Sequence, residues 1–423
     1  MTKASLATVL WLIATNTAWA QFTEYDQLDS TGFVQERLGR IDTVINAEIS
    51  KGKIPGAVAL VALNGKLAYF KSFGFSDIDT KTPMQKDNIF RMASMTKAIT
   101  SVGAMVLYER GLFQLNDPVS KYIPDFSDMQ VISEVDGNGD ISATVPASAQ
   151  IKIVDLFTHT SGISYPFTPN SLQKPYVAAG IIDGMTSRNI TLQAQMKLLA
   201  KQPLLFEPGS DYVYGLGLDL LGYLIEVISG KPLDQFFAEE IFTPLNMQDS
   251  HFYLPKAKVD RLVTLYAEMD QVGLTVARGN ESNINLDDPR YPAGDGQSYF
   301  SGGAGVSSTA YDYARFIQML LNKGTLEGSR ILSRKSVELM QSARVDSDGD
   351  QIPDFGLGFE IIVDPAKAGE LGSAGTYSWS GAYLTSYWID PKENLIAVFL
   401  SQVRPSQSDI RAKFNTIVYQ ALE

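Results

Sequence analysis

The chain has 423 residues, 45% of them hydrophobic, with 34 glycines and 19 prolines; this excludes a disordered or fibrous protein and suits one or two globular domains with a full core. A formal charge of −12 argues against nucleic acid and anionic membranes as partners. Cysteine is absent, which excludes disulfides, a cysteine nucleophile, a lipid-modified cysteine and any thiolate metal site.

Residues 1–20 read as a secretory signal: Lys3 supplies the positive start, Leu6 to Ala14 a short apolar run, and Ala18-Trp19-Ala20 a small-x-small cleavage site before Gln21. Neither this run nor a later one is long enough to span a bilayer. The expected mature protein is soluble, periplasmic or secreted, and one charge unit more negative, since Lys3 is the only charged side chain lost. Val34, Leu38, Ile41, Ile45 and Ile49 then recur at helical spacing. The runs 57–63 and 66–70 flank Asn64-Gly65 and predict a hairpin with a type I′ turn. From Ala98 to Leu107 an apolar stretch with helical spacing runs toward Gly111, a C-terminal stop.

The chain then reads as mostly helix and loop to about residue 300, with polar connections around 160–185 and 265–300. A helix is expected from Ser308-Thr309 to about Asn322, with Asp312 completing a capping box on Thr309. Tyr377 to Ala382, Leu384 to Ile389 and Leu395 to Leu400 read as strands, and Ile410, Phe414, Ile417 and Val418 mark a last helix. The expectation is one sheet built from both ends of the chain, with a helical domain inserted between. The α/β part spans 21–90 and 300–423, and the helical part 91–299. No internal repeat is evident.

Three constellations carry chemistry. In Ser94-Met95-Thr96-Lys97, positions i and i+3 share a helix face, so the Lys97 amine reaches the Ser94 hydroxyl. A serine needs a neighbouring base, and a desolvated lysine serves as one. Tyr212-Val213-Tyr214 offers a phenol to shuttle the proton to the leaving group. Trp379-Ser380-Gly381-Ala382 places a small residue beside a glycine near a strand end, where an acyl group pairs along the edge and a backbone N–H completes an oxyanion hole. Each has a bland reading. Ser-x-x-Lys recurs by chance, most of the 19 tyrosines belong to the core, and strand glycines are common. Their joint order is what carries weight.

In that order they resemble the serine β-lactamase and penicillin-binding-protein superfamily, and within it the family VIII carboxylesterases, near relatives of class C β-lactamases. The resemblance rests on Phe90 to Lys97, Leu112 to Pro124, Asp155 to Gly162, Tyr214 with Asp219-Leu220-Leu221-Gly222, Ser301 to Gly305, and Trp379-Ser380-Gly381 leading into Trp388-Ile389-Asp390-Pro391. It covers the chain from about residue 33 to the end. It implies an antiparallel sheet flanked by helices, an α/β class, with an inserted mainly helical domain and the active site in the cleft between. It also implies Ser94 as the acylated nucleophile, Lys97 as its base, Tyr214 as the proton shuttle, and the N–H groups of Ser94 and Ala382 as the oxyanion hole. Trp379, Ser380, Gly381 and Tyr383 would bind substrate, with no metal and no cofactor.

Two positions depart from the pattern. Leu216 stands where β-lactamases and peptidases carry the asparagine of Tyr-x-Asn, and Trp379 where they carry a cation. Both losses weaken recognition of β-lactams and D-alanyl peptides. An aromatic lining of Tyr377, Trp379 and Tyr383, with Tyr165 and Phe167, suits neutral apolar acyl groups.

The two histidines, His159 and His251, come without the Gly-x-Ser-x-Gly elbow of a Ser-His-Asp hydrolase. Asp346-Ser347-Asp348-Gly349-Asp350 with Asp354, and the shorter Asp136-Gly137-Asn138-Gly139-Asp140, have alternating carboxylates but lack the glycine and distal glutamate of a calcium loop. They read as solvated acidic turns, with structural calcium as the alternative, more so for the first loop than for the second. The expected function is a secreted serine hydrolase cleaving a small-molecule ester, short-chain or aryl, through an acyl-enzyme. The alternatives are a class C-type β-lactamase or D-alanyl carboxypeptidase/transpeptidase, and a non-catalytic binding protein of the same fold. Oligomeric state is open.

Overall fold

The computed structural model describes residues 32–186, 188–277, 291–293, 298–352 and 354–423. The signal segment 1–20 lies outside the described residues, and the connection at 265–300 is described only in part. Seven strands form the main sheet: β1 (Gly56–Leu63), β2 (Lys66–Asp77), β3 (Thr82–Pro83), β4 (Glu360–Ile362), β5 (Thr376–Gly381), β6 (Thr385–Asp390) and β7 (Leu395–Leu400). Their order is β4-β5-β6-β7-β1-β2-β3, with every pairing antiparallel. The first strand of the chain therefore pairs with the last, Val58 opposite Leu400 and Leu63 opposite Leu395.

Both strands of that central pair are buried along their whole length, which is why they read as continuous apolar runs rather than alternating ones. Alternation reappears in what each residue touches. Ala57, Ala59, Val61, Ala397 and Phe399 pack with Ile41 and Ile45 of α1 (Arg40–Ser50) and with Phe414 and Val418 at the far end of the chain. Val58, Leu60, Ala62, Ile396 and Val398 belong to the opposite core, which contains α2 (Thr96–Glu109), α3 (Gly217–Ser229) and α4 (Ala310–Leu321). The last helix, α5, spans Ile410–Gln420. The β1–β2 turn has Asn64 at φ 52° and Gly65 at φ 74°, the left-handed pair that the Asn-Gly signal calls for.

Two expectations need correction. The middle of the chain is not only helix and loop: Gln130–Val135 pairs with Ile141–Pro146, and Tyr266–Met269 with Gly273–Val276. In the first hairpin the Asp136–Asp140 segment is the turn itself, its Asp136 Oδ1 accepting the N–H groups of Asn138 and Asp140. The capping box on α4 is half formed. Thr309 accepts the Asp312 N–H at 3.1 Å, but the Asp312 carboxylate turns away to the Asp249 N–H and the Ser250 hydroxyl.

Candidate active site

Ser94 sits on a 3₁₀ turn, Ala93–Met95, that leads directly into α2. From Thr96 to Leu107 every residue of α2 is buried, so the helix is central and enclosed on all sides. Three contacts hold its entry. Phe90–Arg91 pairs with Ser307–Ser308, the Thr96 hydroxyl accepts the Val306 N–H at 3.0 Å, and Tyr313 Oη donates to the Met95 carbonyl at 2.8 Å. Strand β5 closes against the same turn, and Gly381 makes that possible: a Cβ there would lie 2.3 Å from the Met92 carbonyl oxygen.

Within this frame the Tyr214 hydroxyl donates to Ser94 Oγ at 2.7 Å, and Lys97 Nζ lies 3.3 Å from the same oxygen. Lys97 is 1% exposed. Its Nζ also donates to the Gly303 carbonyl at 2.8 Å and to Tyr165 Oη at 3.0 Å, so it has three polar partners. Burial, reinforced by the nearby Tyr214 and Asp219, holds the Tyr165 hydroxyl well above the ordinary phenol range; it is a neutral phenol.

The Gly303 carbonyl is in turn held from below. Asp219, in the first turn of α3 and wholly buried, accepts the Ser301 hydroxyl at 2.6 Å, and Ser301 Oγ accepts the Ala304 N–H at 3.0 Å. Thr100 donates to the Gly302 carbonyl at 2.6 Å. A Cβ on Gly303 would lie 2.3 Å from Asp219 Oδ2, so only glycine lets this loop pass between the carboxylate and Lys97. Burial raises the Asp219 pKa, partly offset by the Ser301 hydrogen bond and by Lys97.

A cavity of about 340 Å³ opens over Ser94, lined by Tyr214, Trp379, Ser380, Gly381, Ala382 and Tyr383 together with Tyr165, Phe167, Asp183, Met185, Ala304, Arg404 and Arg411. The structure thus brings Ser94, Tyr214, Trp379, Ser380, Gly381, Ala382 and Tyr383 together, with Lys97 beneath them, whereas Tyr377, expected in the aromatic lining, is buried in the core instead. Leu216 is fully buried in the core and is not among the cavity-lining residues. Aromatic rings form one wall: Tyr165 stacks on Phe167 with centroids 4.7 Å apart, and Tyr214 lies 5.7 Å from Trp379.

His159 has no part in a triad, since Ser94 Oγ meets Lys97 and Tyr214 instead. His159 Nδ1 accepts the Gly215 N–H at 3.3 Å, and the ring lies 4.7 Å from that of Tyr214. Burial, then the nearby Lys97, keeps it neutral. His251 lies elsewhere, its Nε2 3.1 Å from Lys258 Nζ. In the 346–354 loop, Asp346 turns its oxygens onto the N–H groups of Gly349, Asp350 and Gln351, and Asp350 pairs with Lys367.

Sequence reasoning missed Tyr165 as a direct partner of Lys97, the Gly303 carbonyl, the Asp219–Ser301 support and the two arginines. The Ser301-Gly302-Gly303-Ala304-Gly305 run was the available signal for the loop, since clustered glycines mark close backbone approach.

The Beta-lactamase family model matches residues 34–420. Protein Rv1367c of Mycobacterium tuberculosis is 34% identical over 371 residues, covering 84% of this chain and 88% of its own. Esterase EstB of Burkholderia gladioli is 30% identical over 393 residues, covering 88% and 93%. Among solved structures, EstCE1, described as a hydrolase with promiscuous acyltransferase activity, superposes with a TM-score of 0.79 at 30% identity, covering 91% of this chain and 99% of its own.

Proposed function

The chain belongs to the Beta-lactamase family and is a serine hydrolase of that fold; from this premise we propose that it cleaves carboxylic esters through an acyl-enzyme on Ser94. One observation carries the reading: Ser94 Oγ lies within reach of both Lys97 and Tyr214 under a cavity whose third-motif position is Trp379 rather than a cation. An ester leaving group needs little protonation, which tolerates that change and Leu216.

Hydrogen-bond counting assigns the base. A neutral amine has two N–H donors and one lone pair. The Gly303 carbonyl can only accept, so it takes one N–H; Tyr165 takes the other, and the lone pair faces Ser94. Ser94 Oγ then adds to the ester carbonyl carbon as its proton passes to Lys97. The carbonyl oxygen becomes an oxyanion held by the N–H groups of Ser94 and Ala382. The C–O bond to the alcohol breaks, and the departing oxygen takes the proton through Tyr214. Water then adds to the acyl-enzyme by the same path, releasing the acid and free Ser94. Trp379, Ser380, Gly381 and Tyr383 bind the acyl group.

The mature protein starts at Gln21 in this reading and acts in the periplasm or outside the cell, with 91–299 as a domain inserted into the α/β part. Among the described residues no helix is long and apolar enough to cross a membrane. Turnover of p-nitrophenyl butyrate should disappear in Ser94→Ala; equal activity in that variant rules the reading out. Nitrocefin turnover matching ester turnover would favour the β-lactamase alternative. The resemblance to EstCE1 favours acyl transfer as a second outcome of the same intermediate, measured as ester product when an alcohol competes with water.

A further inference from the structure

Arg411 is the second residue of α5 and lines the catalytic cavity beside Trp379 and Ser380. Its guanidinium makes no hydrogen bond or ion pair with any described residue. The carboxylate nearest in sequence, Asp409, is taken by Lys413. Glu360 and Glu370 line, with Asp409, an adjoining depression that Arg411, Trp379 and Ser380 also border, and neither glutamate pairs with Arg411. Burial alone acts on Arg411 and lowers its pKa, with no carboxylate opposing it. Its place in the first turn of a helix is also the unfavourable end for a cation.

Elsewhere the chain does not leave sheltered arginines alone. Arg315, 2% exposed, grips Glu327 with both terminal nitrogens, and Arg261 grips Asp249 at 2.8 Å through each. A desolvated guanidinium without acceptors costs stability, so its presence here calls for an acceptor that arrives from outside. Arg404 lines the same cavity, its guanidinium 5.9 Å from the Phe167 ring centroid and without an ion pair among the described residues. Among the described residues the lining holds one carboxylate, Asp183, which is engaged in an interaction of its own. A protein of charge −12 thus presents, among the described residues, two arginines against one aspartate at its catalytic cavity.

We propose that Arg411, assisted by Arg404, is an anion subsite of this cavity and that the preferred substrate is an ester whose acyl chain ends in a carboxylate, a hemiester of a short dicarboxylic acid. The acyl side is assigned because Arg411 borders Trp379 and Ser380, the strand along which the acyl group lies. This rests on the ester-hydrolase reading and replaces the neutral acyl groups suggested by the aromatic wall alone.

The test compares the p-nitrophenyl hemiester of adipate with p-nitrophenyl hexanoate, equal in chain length and differing in the terminal carboxylate. Wild-type protein should favour the hemiester in kcat/KM by about tenfold or more at low salt, and Arg411→Gln should cut hemiester kcat/KM by about ten- to hundredfold through KM. Hexanoate turnover should stay within about twofold, and Arg411→Lys should restore part of the hemiester rate. Free adipate should slow fluorophosphonate labelling of Ser94 in wild type and not in Arg411→Gln. Equal losses on both esters, a wild-type preference for hexanoate, or labelling that adipate does not slow would overturn the subsite. A protein that neither turns over an ester nor takes the fluorophosphonate fails the underlying hydrolase reading instead.

Discussion

Two cations line one cleft and are treated in opposite ways. On the floor, Lys97 Nζ has three hydrogen-bond partners, one of them a carbonyl held in place by Asp219 through Ser301. On the rim, Arg411 has none among the described residues. Satisfied buried polar groups add rigidity, whereas unsatisfied ones cost stability. The floor is therefore built to hold atoms still before substrate arrives, and the rim is built to be completed by it.

The largest expected effect is on the floor. Lys97→Ala and Tyr214→Phe should each lower kcat by about 10²–10⁴-fold, and the double variant should be little worse than the poorer single one, because both serve one proton path. Full additivity would separate their roles. Next, Asp219→Asn should lower kcat by about ten- to hundredfold, at 1.4 kcal/mol per tenfold, with KM nearly unchanged, since Asp219 touches the loop and not the cavity. Unchanged kcat in a folded variant would remove Asp219 from the support of Lys97.

Stability should sharpen the contrast further. Lys97→Ala strands the Gly303 carbonyl and should cost about 1–3 kcal/mol. Arg411→Gln relieves an unpaired charge, so its thermal midpoint should stay level or rise by about 1–3 °C; a fall would mean that Arg411 is paired in solution. The effect furthest from the chemistry concerns Glu226 on α3, where burial pushes the carboxyl up to about 7, partly offset by the Leu233 N–H. Its folded pKa exceeds its unfolded one, so the folded state holds the extra proton. That stabilisation is full below about pH 4.5 and is lost as pH rises through about 7, at most about 3 kcal/mol. Glu226→Gln should flatten the pH dependence of the melting temperature across that window; an unchanged slope would rule out this titration.

The sequence-based reading reached the floor better than the rim for a physical reason. Ser94 and Lys97 are three residues apart, and one helix turn guarantees their meeting. Tyr214 and Trp379 could be recognised only as members of a family pattern, while Tyr165 appeared as mere lining because its hydroxyl meets Lys97 through tertiary packing. Arg411 carries no local mark. Asp409 and Lys413 form the i,i+4 pair around it, and nothing in that spacing says which way the residue between them points. Strands β1 and β7 were visible because they are uniformly apolar. The hairpin at 130–146 was hidden because its Asp136–Asp140 turn resembles an ion-binding loop and its strands are largely exposed.

The pairing of β1 with β7 also dictates when this protein can exist. Val58 meets Leu400 across almost the whole polypeptide, the kind of non-local closure that makes folding slow. During synthesis β1 emerges early and must wait, its buried edge without a partner, until the final strand has left the ribosome. Trp379 and Arg411 arrive with that last portion. The catalytic serine is thus made long before the groups that surround its substrate, and no nascent chain shorter than about residue 400 can hold a finished cleft.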